Sequence, residues 1–367
     1  MSVTSPDRES DNLHAALRVV ATFGVISIHL QKIGLREDDQ VNWFFGIFFY
    51  ALARCSVPFF FIISGHFLLR KKEEIGTFLR KRAARIIPPL VAWVILYQVW
   101  NEIMRPTGRL FSISALAWNI ASLNFSVHLW FLFSLLGAYL FVPILRELVY
   151  RPSLPHESIN PPVNYFAALL FFTTGISTIA WSYTMAVTWR SPPVPAPFYD
   201  CVQYLGYMLI PFVRIPRIDR VPANRLMVVF VGLSLVSAIG IACLPSRVRP
   251  LLDNYSSWMV LAQAFLAYHG LLKLLPRYPR LLKLLSRPAL TQACFGIYLV
   301  HCIFIDLLFQ HAPKVPASAF LQIGLTLLVF LVSFLVIKGL SYIPTLRIFI
   351  GWPNSGLSSK AIAARAN

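Results

Sequence analysis

Apolar runs of about 20 residues recur along the whole chain, and that is the length an α-helix needs to cross the hydrocarbon core of a bilayer. No single water-soluble core absorbs so many of them. Of the 367 residues 57% are hydrophobic and only 13% charged, against about 25% charged in an average soluble domain. The expected fold class is therefore all-α, a polytopic integral membrane protein of about ten transmembrane helices. The candidate spans fall near 13–34, 43–69, 86–104, 127–148, 163–185, 199–213, 226–244, 255–275, 290–311 and 318–341, the sixth being short. A polar tail (1–12) precedes this membrane domain (13–341), and a C-terminal tail (342–367) follows it.

The balance of 33 Lys and Arg against 15 Asp and Glu, a net +18, invites a nucleic-acid reading until the charges are placed. With the amino terminus inside, the inside segments carry 24 basic residues and the outside loops eight, with Arg54 left within a span. That is the positive-inside bias of a membrane protein with both termini cytoplasmic, and no nucleic-acid partner is expected. Residues 1–12 are polar and include Asp7, Glu9 and Asp11, so the first apolar helix reads as retained rather than cleaved. The five cysteines show no CxxC pair and no metal-ligand spacing. They read as small buried hydrophobes, and no metal is expected. Two Leu-Leu-Lys-Leu-Leu segments, 271–275 and 281–285, suit an interfacial amphipathic turn at the cytoplasmic face.

Ionisable groups inside spans are costly, so each is a functional candidate. In the first span Arg18 and His29 are eleven positions apart, which places them within about 20° of one helical face and roughly 16 Å apart along the axis. One face thus presents a guanidinium suited to phosphate and, deeper, an imidazole suited to taking a proton from a hydroxyl. The same spacing equally suits an Arg snorkelling to the headgroups and a His satisfied by a neighbouring helix. Arg82 and Arg85, where the third span enters the membrane, are neighbours on a helical face and could clamp a multiply phosphorylated ligand or simply anchor the span.

Together these stretches resemble the acyltransferase-3 family of membrane O-acyltransferases. The resemblance rests on Arg18 and His29, on Phe59-Phe-Phe-Ile-Ile-Ser-Gly65, on Arg82-x-x-Arg85 followed by Ile-Ile-Pro, and on Phe295-Gly-Ile-Tyr-Leu-Val-His301. Ser126-Val-His-Leu-Trp-Phe-Leu132 is similar to the form seen in the subgroup of the enterobacterial common antigen O-acetyltransferase. The resemblance implies a bacterial inner-membrane enzyme that moves an acyl group, usually acetyl from cytoplasmic acetyl-CoA, onto a sugar hydroxyl of an envelope polysaccharide or glycolipid, with no tightly bound cofactor. It makes His29 the catalytic base and Arg18 its partner, and it sets Arg82, Arg85, Ser64 and Gly65 at the CoA. His301 and Asp306 join the catalytic candidates, while His128 and Trp130 stand where the acceptor arrives.

Departures accompany the likeness. The Glu-Glu pair of many relatives on span four is absent, so His29 lacks that carboxylate, and Asp306 is the buried acid to test, or else a partner of Arg54. His66 follows Ser64-Gly65 where an aromatic is common, and it is expected to reach the interface. Two other readings stay open: a transporter or export component for a lipid-linked glycan, and succinyl in place of acetyl, with Arg54 for the extra carboxylate.

Overall fold

A computed structural model describes residues 6–34, 40–71, 73–104, 106, 128–149, 161–188, 199–246, 248–311 and 319–353. They form helices and short turns, with no strand among them. The main helices are α1 (Pro6–Gly34), α2 (Gln40–Ala53), α3 (Ser56–Leu69), α4 (Ile75–Met104), α5 (Trp130–Val149) and α6 (Pro161–Thr188). They continue with α7 (Tyr199–Leu209), α8 (Ala223–Cys243), α9 (Trp258–Leu274), α10 (Pro279–Leu285), α11 (Pro288–His311) and α12 (Ala319–Leu340).

Nine segments among the described residues are long and apolar enough to cross a membrane. The sixth expected span is the exception. Its apolar helix covers only Cys201–Phe212, about 18 Å of helix against the roughly 30 Å of a hydrocarbon core. Pro211 lies in the short 3-10 turn that ends it, and Val213 is already extended. The second expected span is two helices, because Pro58 has no amide hydrogen for the Arg54 carbonyl and the chain breaks over Arg54–Cys55.

α1 lies at the centre, packed against α2, α3, α11 and α12. Its Ala16, Leu17, Ala21, Ile26 and Leu30 are fully or almost fully buried, a pattern that runs round the helix instead of along one stripe, as a core position demands. Lipid tails are as apolar as leucine, so close packing and interhelical hydrogen bonds hold such a bundle. The close approaches need small residues. A Cβ on Gly24 of α1 would stand 2.0 Å from the Ser56 hydroxyl of α3, and one on Gly65 of α3 would stand 2.0 Å from the Met208 carbonyl oxygen of α7. Gly65 therefore seats a neighbouring backbone, and the half-buried Ser64 precedes it on the same helix.

Hydrogen bonds tie segments that are separate in sequence. Tyr97 on α4 donates to the Leu299 carbonyl on α11 at 2.8 Å, Trp93 to the Phe349 carbonyl at 2.9 Å, and Gln263 on α9 to Ser234 on α8 at 3.2 Å. Each is worth on average about 0.6 kcal/mol in a membrane protein, so their main effect is to fix which faces meet. α4 carries its own peculiarity in Pro88 and Pro89. Neither can donate to the carbonyl four residues back, which leaves the Ala84 and Arg85 carbonyls without helical partners beside the two arginines of interest.

Candidate active site

The fold gathers three histidines from three separate stretches. His29 comes from α1, His128 from the turn that opens α5, and His301 from the middle of α11. Ring centroids lie 5.3 Å apart for His29 and His301, 6.1 Å for His29 and His128, and 4.9 Å for His128 and His301. His301 is fully buried and His128 almost so, while His29 is half-buried. Aromatic rings wall the cluster: Tyr97 and Tyr298 each stand 5.2 Å from His128, edge to face. The Tyr298 hydroxyl donates to the His128 carbonyl and fixes the turn.

One tautomer follows from the geometry. His301 Nδ1 lies 2.7 Å from the Tyr298 carbonyl oxygen, and a carbonyl only accepts, so Nδ1 carries the hydrogen. In the neutral ring Nε2 is then the lone-pair nitrogen, and it faces the Cys302 sulfur at 3.4 Å. The same sulfur lies 3.2 Å from His128 Nδ1. Ligand atoms of His29, His301 and Cys302 all fall within 4.8 Å of one another, a proximity that fits a soft divalent ion sterically and that no linear spacing displays.

The second part of the site lies toward the other end of α1. Arg85 on α4 is within electrostatic range of Arg18 on α1, of Arg82 and of the Tyr139 hydroxyl. The Arg18 guanidinium stands 5.5 Å from the Phe67 ring, and that of Arg82 stands 5.4 Å from Phe78. A further cation, Arg146 of α5, reads from sequence as one more inside charge but is buried at 7% exposure. It lies 4.4 Å from the same Phe78 ring and donates to the Leu68 carbonyl at 2.9 Å and the Glu73 carbonyl at 3.2 Å. The loop between α3 and α4 is thus pinned just ahead of the first turns of α4, which carry Arg82. Lys81 donates to the Glu73 carboxylate, and that hydrogen bond foremost, aided by the charges of Lys81, Arg82 and Arg146, holds the Glu73 carboxyl below the usual range.

Other sequence candidates land elsewhere. Asp306 accepts a hydrogen bond from Trp100 Nε1 at 3.0 Å, so the pairing with Arg54 is corrected. Arg54 donates to the Asp253 carbonyl and lies 3.7 Å over the Tyr255 ring. Trp130 stacks on Tyr255 at 5.6 Å and approaches Tyr204 at 5.9 Å, which builds an aromatic wall next to His128. His128 itself turns inward to the other histidines. His66 is covered by protein at 5% exposure, lies flat against His14 at 3.4 Å, and meets Asp11 of the polar N-terminal tail at 3.3 Å. Cys302 and Arg146 are not among the residues the sequence marks, whereas Tyr298 lies inside the Phe295–His301 motif without being singled out. Cys302 is one more small residue in an apolar run, and Arg146, next to Glu147 in the last turn of α5, looks like an ordinary helix-end charge.

A sequence model of an acyltransferase domain, that of the acyltransferase-3 family, matches residues 15–339. No curated protein and no solved structure gives a significant match.

Proposed function

The chain belongs to the acyltransferase-3 family of membrane acyltransferases, and from that premise we propose that it transfers an acetyl group from cytoplasmic acetyl-CoA to a sugar hydroxyl of a cell-envelope polysaccharide or glycolipid. Its place would be the bacterial inner membrane, with the arginine cluster at the cytoplasmic face. The observation that carries the reading is the layout of α1. Arg18, with Arg82 and Arg85 beside it, lies about three turns from His29 in a buried cluster of imidazoles.

That layout suits a donor with a charged head and a reactive tail. The phosphates of CoA would rest on the three guanidinium groups, which are permanent cations with donors in a fixed fork, and the pantetheine arm would carry the thioester toward His29. There the imidazole takes the proton of the acceptor hydroxyl as its oxygen attacks the thioester carbonyl. A tetrahedral oxyanion forms, the thiolate leaves, and the His29 proton neutralises it. The aromatic wall of Trp130, Tyr204 and Tyr255 beside His128 suits the apolar face of a sugar. Acetyl is preferred to succinyl because Arg54, the cation available for a second carboxylate, is already committed to the Asp253 carbonyl and the Tyr255 ring.

Binding of acetyl-CoA to the detergent-solubilised protein, followed by calorimetry, tests the donor. The expected result is saturable binding that Arg82→Ala weakens. Binding that is absent, or indifferent to Arg82, would favour a glycan transporter, which has no reason to hold CoA.

A further inference from the structure

The five cysteines are not alike. Cys55 and Cys294, both buried, point their thiols at carbonyls of nearby turns, Leu52 and Leu290, each at 3.3 Å, the ordinary resting place of an inert buried thiol. Cys302 is buried too, at 6% exposure, but its sulfur faces two imidazole nitrogens, His128 Nδ1 at 3.2 Å and His301 Nε2 at 3.4 Å. The tautomer makes His301 Nε2 the acceptor, because its Nδ1 hydrogen is engaged by the Tyr298 carbonyl. A nucleophile, a base within reach and a third group that orients the base are the parts of an activated nucleophile.

We propose that Cys302 is a covalent acyl carrier, with His301 as its base and the Tyr298 carbonyl as the orienting group. The proposal rests on the acyl-CoA reading and inserts one thioester exchange before the hydroxyl attack, so that the thioester His29 serves is the one on Cys302 instead of the one on CoA. In the first step His301 Nε2 takes the Cys302 proton, and the thiolate attacks the acetyl carbonyl of acetyl-CoA. The tetrahedral adduct collapses with cleavage of the carbonyl carbon to CoA sulfur bond, and the CoA thiolate takes the proton held by His301. One thioester replaces another, with no net redox change and no further reactant. In the second step His29, whose ring stands 5.3 Å from that of His301, deprotonates the sugar hydroxyl. The oxygen attacks the Cys302 thioester, the ester forms, and the Cys302 thiolate recovers its proton from His29. Such a relay lets CoA leave before the acceptor reacts, so the polar path need not hold both substrates at once.

The test is exchange without acceptor. The purified full-length protein in detergent is incubated with acetyl-CoA and radiolabelled free CoA, and label entering the acetyl-CoA pool is followed beside acetyl-CoA binding. The expected result is exchange by the wild type, a hydroxylamine-labile acetyl group on the peptide that contains Cys302, and loss of both in Cys302→Ala with binding retained. Exchange and acetyl transfer that persist in Cys302→Ala would overturn the proposal, as would acetyl found on another residue or stoichiometric zinc bound to the protein as isolated. Wild-type binding without exchange would overturn the relay alone. Absence of wild-type binding would overturn the acyl-CoA reading with it. Should Cys302→Ala lose binding through misfolding, Cys302→Ser is the second variant: a thermal melt and acetyl-CoA binding like the wild type's, with unchanged exchange, would exclude the thiol, and exchange lost while both persist supports it.

Discussion

His301 holds its Nδ1 hydrogen toward the Tyr298 carbonyl oxygen, 2.7 Å from nitrogen to oxygen and one turn back on the same helix, and this bond decides which ring nitrogen faces the centre of the histidine cluster. A glutamine at 301 keeps polarity but takes no proton. His301→Gln is therefore expected to slow acetyl transfer by roughly 10²–10⁴-fold, the usual contribution of a positioned acid or base. Its dissociation constant for acetyl-CoA, read by calorimetry, stays close to the wild type's, because the arginine cluster is untouched.

Arg82 and Arg85 act at the other end of the donor. A hydrogen bond to a charged group is worth about 1.5–3 kcal/mol, so Arg82→Ala and Arg85→Ala should each raise the KM for acetyl-CoA by roughly 10- to 100-fold. Arg82→Lys should recover only part of the loss, since an ammonium lacks the guanidinium fork. Initial rates at saturating acceptor would separate this from an effect on kcat.

Gly65 and Gly232 offer a matched pair for packing. A Cβ at 65 would meet the Met208 backbone at 2.0 Å, whereas one at 232 meets nothing within 4 Å. Gly65→Ala is expected to cost about 1–3 kcal/mol, the range for overpacking. Gly232→Ala should be neutral or gain up to about 1 kcal/mol from helix propensity. Thermal melting in one detergent compares the two.

Glu73 gives a pH test outside the spans. Its carboxyl is held below the usual range, chiefly by the Lys81 hydrogen bond. A depressed pKa stabilises the fold above the unfolded value, near the ordinary 4.5, and that contribution is lost as pH falls through the lower folded value. The gap in melting temperature between wild type and Glu73→Gln should stay constant from neutral pH down to about 5, where an unperturbed glutamate is still mostly ionised, and close in stronger acid.

The helices are legible in the sequence because lipid imposes a single rule on length and polarity: the ends of α8 and α11 fall near their expected limits, and α4 stops where expected but begins at Ile75, eleven residues early. The sixth span is the weak one, since Pro211 stops a run that is apolar enough but too short. Within the site, Arg18, Arg82, Arg85, His29 and His301 can be read because charge is rare in apolar helix and the family motifs mark the positions. Cys302 cannot, because a cysteine in an apolar run carries no charge, and only the meeting of α11 with the turn before α5 sets its sulfur against His128. Asp306 is visible as an intramembrane acid, but its partner is not, because Trp100 is on α4, far away in sequence.

The central claim is that His29 takes the acceptor proton, and the direct measurement is the single-turnover rate of acetyl transfer to an envelope glycan fraction by His29→Gln beside the wild type, with acetyl-CoA binding measured on the same preparations. The account predicts binding within a few-fold of the wild type's and transfer reduced by about 10²–10⁴-fold. Transfer at the wild-type rate by a properly folded His29→Gln protein would contradict it.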